Sequence, residues 1–232
     1  MDAKTTLRRS HDWTVRSLEA WKALRSQSIA PEWQSFFPIV QGGRFPELRR
    51  ESAEMAASLD VPGIAVAGES IGADPGVSIE TLEMVRDSLP REKPLYAMGL
   101  GGGPEGFLRG IAAGVDFFDN TSPSRLARCG IALIRPQAGG RPANRFRLDL
   151  RKGYHRADPN PIDPDCPCPV CSEGLSRAYI RHLVRQREAS GMRLICIHNL
   201  WLMCMLGRQA QAAIANGEFA QLLKLWTSEF QS

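Results

Sequence analysis

Three closely spaced cysteines are the most specific chemical feature of this sequence. Cys166, Cys168 and Cys171 form a C-x-C-x-x-C pattern in a proline-rich segment. Three thiolates at this spacing can occupy three corners of a tetrahedron around Zn²⁺, which leaves one position for a fourth ligand. We expect His198 to fill it, because the apolar segment around it offers an imidazole few other partners; His182, in a basic stretch, is the alternative. With four protein ligands the zinc would be structural, not catalytic.

A carboxylate followed by two arginines is the second candidate for chemistry. Residues 114–128, GVDFFDNTSPSRLAR, run from an apolar, strand-like core into Asp119, and Arg125 and Arg128 come shortly after. An acid at the end of a strand can act as a nucleophile or a base, and nearby cations suggest an anionic polymer as substrate. An aspartate that only caps the next turn is the alternative.

Alternating strand and helix patterns would position that carboxylate. Four strand–helix steps in succession predict an α/β fold with parallel strands and right-handed crossovers. The carboxyl ends of such strands share one rim, so we expect Gln41, Gly68, Met98 and Asp119 to lie along it and form a site.

The rest of the chain changes pattern after Cys129. A β-hairpin, a proline-rich loop and C-terminal helices are expected, and Ser10 and Ser78 are predicted to be helix N-caps. The predicted strands are 36–41, 63–68, 94–101, 115–119 and the hairpin 130–150; the predicted helices are 10–26, 46–60, 78–89, 104–114, 175–190, 192–215 and 219–226.

Composition and charge narrow the class of protein. The 232 residues carry a net charge of +4 and six cysteines, and the longest apolar run, 197–206, is too short to span a bilayer. With no apolar leader segment, we expect a cytoplasmic protein, in which Cys129, Cys196 and Cys204 are buried apolar side chains. Nine arginines and lysines stand against one acid between residues 124 and 156, which favours contact with a nucleic-acid backbone.

Eight segments together resemble the tRNA-guanine transglycosylase (queuine tRNA-ribosyltransferase) family. The resemblance covers nearly the whole chain from about Ser10, and the cysteine cluster with IHN is its most specific part. The matching segments are IVQGG at 39–43, RRESAE at 49–54, MGLG at 98–101, GVDFFD at 114–119, PSRLAR at 123–128, IDPDCPCPVC at 162–171, SRAYIRHL at 176–183 and IHNL at 197–200.

The resemblance implies the fold. The family has a TIM barrel with a zinc-bearing insertion, and this chain resembles its second half, the C-terminal half of a (β/α)8 barrel with about four parallel strands. Residues 1–128 would then form the half-barrel with the base pocket and the nucleophile. Residues 129–174 would form a basic hairpin and the zinc loop, and residues 175–232 helices that complete the zinc site and cover the barrel.

The resemblance also implies the activity. The family exchanges guanine at the anticodon wobble position of tRNA for a 7-deazaguanine base, such as queuine or preQ1, through a covalent ribosyl–enzyme intermediate. Asp119 would be the carboxylate that attacks the ribose C1′. Gln41 would hydrogen-bond the purine edge, Gly68 would offer its backbone to the base, and Met98 and Gly99 would wall the pocket.

The RNA-binding residues follow in the same way. The segment that would contact RNA is Ser124, Arg125, Leu126, Ala127 and Arg128, and its two arginines would hold the anticodon loop beside the wobble nucleotide.

Three departures from the family pattern affect the predicted pocket. Ala67, Glu69 and Ala73 replace residues that line it, and Glu69 adds a carboxylate, which leaves the identity of the inserted base open. Asn120 stands where bacterial enzymes have cysteine, and an extra glycine at 102–103 lengthens the loop after the third strand.

The length of the chain is the largest departure. The missing half would supply a second catalytic-site aspartate and a base-recognising aspartate, which have no counterpart here. Four parallel strands leave two open sheet edges, so we expect pairing with a separately encoded amino-terminal half; a homodimer or an inactive truncated product are the alternatives. The predicted function is a pentosyltransferase subunit, against a non-catalytic tRNA-binding partner or a relative that modifies guanine in DNA.

Overall fold

The computed structural model describes residues 2–67, 75–100 and 102–227, and the chain divides into two compact units. The first unit runs to Gly102 and takes in Arg109–Asn120; the second consists of Gly103–Leu108 and the chain from Thr121 onward. Asp119 therefore belongs to the first unit, whereas the PSRLAR segment and the cysteine cluster belong to the second.

Helices and strands alternate through the first unit, as the sequence predicts. The elements are α1 (Ala3–Ser26), β1 (Ile39–Val40), α2 (Pro46–Ser58), β2 (Ile64–Val66), α3 (Pro75–Arg86), β3 (Leu95–Ala97), α4 (Pro104–Ala112), β4 (Phe117–Phe118), α5 (Ser122–Arg128), β5 (Ile131–Leu133), β6 (Arg147–Asp149), α6 (Pro169–Ser172), α7 (Arg177–Arg185), α8 (Ala189–Ala215) and α9 (Phe219–Thr227). The strands are shorter than their apolar runs, because only part of each run joins the ladder.

Strands β1 to β4 form one parallel sheet in sequential order, which confirms the predicted topology. The register aligns Val40, Val66, Ala97 and Phe118 in one row. This row packs in the core of the unit with apolar side chains of α2 and α3, namely Ala53, Ala56, Leu82 and Val85. The parallel ladder brings the four carboxyl ends to one rim, where the candidate residues follow the strands.

The opposite face of the sheet is apolar and partly open. Its row aligns Ile39, Ala65, Tyr96 and Phe117, of which Ile39 is 36% and Phe117 54% exposed. Phe37 meets Phe117 edge to ring at 6.3 Å between centroids. An apolar row of this kind on a parallel sheet is ordinarily covered by further elements of the fold.

The second unit is built around α8. Strands β5 and β6 pair antiparallel, which confirms the predicted hairpin. Helices α5, α6 and α7 pack against α8. The core of this unit contains Leu150, Ile162, Ile180 and Ile195 together with the three clustered cysteines, so the cysteine loop is part of the hydrophobic interior.

Both predicted N-caps are wrong. Helix α1 begins at Ala3, and the Ser10 hydroxyl donates to the Thr6 carbonyl inside the helix at 3.2 Å. Helix α3 begins at Pro75, so Ser78 lies in its first turn and is buried. Serine favours caps because its hydroxyl competes for backbone groups, but the same hydroxyl can bond back to the preceding turn.

The expectation that Cys129, Cys196 and Cys204 are buried is wrong for two of the three. Cys129 and Cys204 are exposed and Cys196 is half-buried. Helix α8 has 27 residues and is long and apolar enough, by length and composition, to cross a membrane, although core helices of soluble proteins pass the same test. The polar atoms of His198 and Asn199 on α8 bond to the β5 backbone, which gives the helix a place inside the second unit.

Candidate functional site

Asp119 lies directly after β4 at the carboxyl end of the sheet, and its side chain is exposed. Strand β3 is the hydrogen-bonded neighbour of β4, so the residues that follow β3 come close to the Asp119 carboxylate. An exposed carboxylate at a strand end can reach a substrate without any movement of the strand that carries it. The predicted location on the rim is therefore the observed one.

Two donors hold one oxygen of this carboxylate. The Tyr96 hydroxyl donates to Asp119 Oδ1 at 2.8 Å, and the Gly99 backbone N–H donates to the same oxygen at 2.7 Å. Gly99 has φ +74°, a left-handed conformation that glycine adopts without strain. Among the described residues both bonds reach Oδ1, which makes Oδ2 the oxygen available to a substrate.

The neighbouring carboxylate changes the acidity of Tyr96. The hydrogen bond to Asp119 raises the pKa of Tyr96, and burial and the negative charge of Asp119 add to the shift. The phenol therefore keeps its proton at neutral pH and acts as a permanent donor to Oδ1.

A buried arginine fixes the ends of the first two strands. The Arg49 guanidinium donates from Nη1 to the carbonyls of Val40 and Ala67, at 3.2 and 2.7 Å, and from Nε to the Gly43 carbonyl at 3.0 Å. Burial lowers the pKa of Arg49, yet arginine stays charged at any physiological pH. The group thus clamps the backbone on both sides of Gln41.

Gln41 itself is half-buried at the end of β1. Its backbone N–H donates to the Ser52 hydroxyl at 3.0 Å, and His11 Nε2 lies 3.3 Å from the same oxygen. Met98 is exposed, and its N–H donates to the Val66 carbonyl at 3.1 Å, as expected for a residue just beyond β3. The structure thus brings Gln41, Met98 and Gly99 to the rim that carries Asp119, whereas Gly68 lies outside the described residues.

Helix α5 carries the PSRLAR segment. Arg125 and Arg128 are exposed and Ser124 is half-buried, whereas Leu126 and Ala127 face the core of the second unit. The solvent-accessible polar side chains of the predicted RNA-binding segment are therefore its two arginines and Ser124.

The cysteine cluster and His198 come together as predicted. One ligand atom from each of Cys166, Cys168, Cys171 and His198 lies within 4.8 Å of every other, and all four residues are buried. His198 Nδ1 is 3.4 Å from the sulfurs of both Cys168 and Cys171. Ligands around tetrahedral zinc lie about 3.5–3.8 Å apart, given Zn–S and Zn–N distances of about 2.3 and 2.0 Å. The donor set therefore fits Zn²⁺, and exposed His182 has no part in it.

The surroundings of His198 select the ligating nitrogen. Its Nε2 lies 2.7 Å from the Leu133 carbonyl, which can only accept a hydrogen bond, so Nε2 carries the proton and Nδ1 points at the sulfurs. Metal-binding histidines in proteins are usually oriented by such a second hydrogen bond.

The electrostatics of the cluster favour a bound cation. Hydrogen bonds from Cys166 and Cys171 lower the pKa of the Cys168 thiol. Burial opposes a charge on His198, but hydrogen bonds that its ring donates to Cys166, Cys168 and the Leu133 carbonyl raise its pKa to about 9. The thiolate that this arrangement stabilises is the form that binds metal, and binding displaces the proton from Nδ1.

An ion pair anchors the loop that precedes the cysteines. Arg135 Nε and Nη2 donate to the two carboxylate oxygens of buried Asp163, at 2.6 and 2.7 Å, and this contact raises the pKa of Arg135. The Asp163 carbonyl in turn accepts from the Cys166 N–H at 3.1 Å. Bidentate pairs have fixed geometry. Arg135, just after β5, therefore fixes Asp163 and, through its carbonyl, the position of Cys166.

A second network ties the same loop to α7. Asp158 accepts from His155 Nδ1 at 3.1 Å, from Arg177 Nη1 at 3.2 Å and from the Asn160 N–H at 3.1 Å. Burial alone would raise the pKa of Asp158, but these donors lower it to about 2.

We expect Asp158→Asn to lower the free energy of unfolding by about 2 kcal/mol at pH 7, because the folded protein holds the pKa of Asp158 at about 2, well below its ordinary value. Because the folded pKa lies below the unfolded one, this stability is complete above pH 4 and is lost as the pH falls towards 2. Urea unfolding of both proteins between pH 7 and pH 2.5 measures the difference. A difference that stays constant over that range would contradict the ion-pair explanation.

Four of these contributors were not predicted from the sequence. Tyr96 and Arg49 lie in the predicted strand and helix, but their partners are set by the register between strands and by helix packing. Asn199 follows His198 in the IHN segment, but its hydrogen-bond partners lie far away in the sequence, and the pairing of Arg135 with Asp163 joins residues 28 positions apart. Asp163 and Asp165, just before the cysteines, were the one available signal, since polar residues in a buried loop need partners.

Comparison with known proteins places the chain among relatives of one family. The Queuine tRNA-ribosyltransferase family model matches residues 1–232. A queuine tRNA-ribosyltransferase from Herpetosiphon aurantiacus is 39% identical over 229 residues, which are 99% of this chain and 54% of the relative. Those from Natranaerobius thermophilus and Thermotoga maritima are 38% and 36% identical, and cover 93% and 95% of this chain.

The match covers almost the whole of this chain but only about half of each relative. The chain spans about half the length of the curated relatives it matches, 54% of the first two and 55% of the third. At these identities, over almost all of its own residues, the chain belongs to the queuine tRNA-ribosyltransferase family.

Proposed function

We propose that this chain is the catalytic half of a tRNA-guanine transglycosylase that exchanges wobble guanine for a 7-deazaguanine base. The observation that carries the proposal is the exposed Asp119 carboxylate, held through Oδ1 by Tyr96 and Gly99 at the strand end. A carboxylate used only as a turn cap would bond to the turn that follows it, whereas this one is oriented from the neighbouring strand.

The reaction runs in two displacements at C1′ of the ribose. Asp119 Oδ2 forms a bond to C1′ as the C1′–N9 bond breaks, and the bond pair leaves with guanine, which takes up a proton. The incoming base then attacks C1′ through N9, loses its N9 proton and releases the ionised carboxylate. The covalent intermediate retains the energy of the glycosidic bond, so no external energy source is needed.

The base pocket is assigned to the rim beside Asp119. Gln41 would hydrogen-bond the purine edge, and Met98 and Gly99 would line the pocket around the ring. Gly68, which lies outside the described residues, would offer its backbone to the base. The Arg49 and Ser52 contacts support this assignment, because they fix the backbone that carries Gln41.

Tyr96→Phe tests the orientation of the nucleophile. Removal of one of two donors to Oδ1 should lower kcat for guanine exchange about tenfold while the KM for tRNA changes less than about twofold. Steady-state incorporation of labelled guanine measures both constants. A roughly tenfold rise in KM with kcat unchanged would instead mean that Tyr96 binds the substrate.

The RNA contact is assigned to α5. Arg125 and Arg128 are exposed and follow Asp119 in the sequence by six and nine residues. We propose that they bind phosphates of the anticodon loop, with Ser124 beside them. Leu126 and Ala127, the other two residues of the proposed RNA-binding segment, are buried.

The metal is proposed to be structural Zn²⁺ held by Cys166, Cys168, Cys171 and His198. Bound there, the ion would cross-link the loop to α8 with no open position for a substrate. A cytoplasmic location suits both tRNA and reduced thiolates.

The partner is proposed to be a separate chain with the other half of a barrel. The exposed Ile39 and Phe117 on the open sheet face support this, as do Trp13 and Trp33 of the first unit, which are 54% and 83% exposed. A homodimer would have to cover the same residues with a second copy of this half.

The test is labelled-guanine exchange into tRNA and into a DNA hairpin of the same sequence. The chain is assayed alone and after co-expression with the amino-terminal half of the Herpetosiphon aurantiacus relative as a separate polypeptide. We expect exchange into tRNA only in the co-expressed complex. A soluble, active monomer would overturn the pairing, exchange into DNA would change the substrate, and a complex that binds tRNA without exchange would identify a non-catalytic partner.

A further inference from the structure

We propose that Asn199 is a positioning residue that joins the metal centre to α5, so that the ion sets how firmly the arginines of α5 are held for RNA. The RNA part of this inference rests on the function proposed above. The mechanical link itself depends only on contacts within the second unit.

Every polar atom of the Asn199 amide is used. Its Oδ1 accepts from the Leu133 N–H at 2.7 Å, and its Nδ2 donates to the Pro123 carbonyl at 3.0 Å and to the Ile131 carbonyl at 3.1 Å. The side chain is fully buried. An amide is the smallest group with one acceptor and two donors, so aspartate, leucine or alanine could not make the same three bonds.

Helix α5 needs an anchor of this kind. It has seven residues, and its N-cap residue Thr121 makes no side-chain capping bond. Helices this short are unstable on their own and depend on tertiary contacts. The bond from Asn199 reaches Pro123 in the first turn, and it holds the end of the helix that precedes Arg125.

The metal ligand next to Asn199 grips the same strand residue. His198 bonds to the Leu133 carbonyl and Asn199 to the Leu133 N–H, so consecutive residues of α8 hold both backbone groups of one residue of β5. Metal ligation fixes His198 and thereby the turn of α8 that carries Asn199. Loss of the ion should loosen β5 and α5 together.

The variants to compare are Asn199→Ala and Asn199→Asp in the full 232-residue chain, with Leu200→Ala as control. Leu200 is the next residue of α8 and is exposed. We expect all variants to keep one zinc per chain by elemental analysis. In both Asn199 variants the amides of residues 121–130 should exchange hydrogen about tenfold faster than in Leu200→Ala, because the buried hydrogen bonds that hold this segment are lost.

RNA affinity is measured with a fluorescent 17-nucleotide anticodon stem-loop at fixed ionic strength. Asn199→Ala should bind it about tenfold more weakly than wild type, since tenfold corresponds to about 1.4 kcal/mol. The same change in a chain that already carries Arg125→Ala and Arg128→Ala should cost less than about twofold, because residues that act as one unit are not additive.

Zinc removal by a chelator should accelerate exchange in residues 121–130 of the wild type but add little in Asn199→Ala. Unchanged exchange in both Asn199 variants, zinc loss from both, or full additivity with the arginine variants would overturn the proposal. Should the wild type fail to bind the stem-loop, the function proposed for α5 fails, and the exchange data alone then decide whether Asn199 anchors the helix.

Discussion

Asp119→Asn should slow labelled-guanine exchange by at least about 10³-fold, because asparagine has the shape of the proposed nucleophile but cannot form the ester to C1′. The change keeps an oxygen for the Tyr96 and Gly99 donors, so tRNA affinity should stay within about twofold. A denaturing gel should show an RNA–protein adduct with wild type and none with the variant. The assay uses whichever assembly of the chain is active.

Asp116→Asn is the matched control for this prediction. Asp116 lies three residues earlier, and its Oδ2 accepts from the Leu95 N–H at 2.8 Å, a structural bond between strand ends. We expect exchange within about threefold of wild type. Equal losses in both variants would point to a damaged strand, and full activity of Asp119→Asn would move the chemistry to another residue.

Cys168→Ser should cost the second unit its metal and part of its stability. The Cys168 sulfur lies next to His198 Nδ1 and also accepts from the Cys171 N–H, both at 3.4 Å, so no other cysteine in the cluster can replace it without movement. Structural zinc contributes about 10 kcal/mol or more in small zinc domains, so a loss of several kcal/mol is expected here. Bound zinc should fall below about a tenth of an equivalent, with a lower melting temperature.

Cys204→Ser provides the comparison, because Cys204 is exposed on α8 and outside the cluster. Its zinc content and melting temperature should match those of wild type. Retention of zinc by Cys168→Ser, or an unchanged melting temperature, would show that the cluster does not hold the ion that stabilises the unit.

The metal ligands could be predicted from the sequence because most of the site is local. Cys166, Cys168 and Cys171 define their own loop, and one long apolar segment with a histidine supplied His198. The distinction from His182 needed only the general cost of burying an unused imidazole. The structure brings these four predicted residues together in one buried cluster that could hold a metal ion.

The sheet and its rim were predictable for a related reason. Apolar runs separated by helical segments determine a parallel order, and the rim follows from that order. The position of Asp119 on the rim was correct for this reason. The two hydrogen bonds to its Oδ1 could not be predicted, since the register that places Tyr96 beside β4 leaves no trace in sequence spacing.

Local propensity failed where tertiary contacts decide. Ser10 and Ser78 have the residue type of caps, but each lies inside a longer helix whose start depends on what the earlier residues contact. Cys129 and Cys204 have the residue type of core positions, yet they face solvent. Propensity is a weak prior that packing overrides.

The Arg49 guanidinium makes the ends of β1 and β2 a single mechanical element. One side chain bonds to Val40, Gly43 and Ala67, so a displacement beyond Ala67 is transmitted to the backbone on either side of Gln41. Changes in the 67–73 segment and changes at Gln41 should therefore combine non-additively in their effect on which purine is accepted. Selectivity for the nucleobase would then be a joint property of two segments of the chain, and it could not be transferred by exchanging either segment alone.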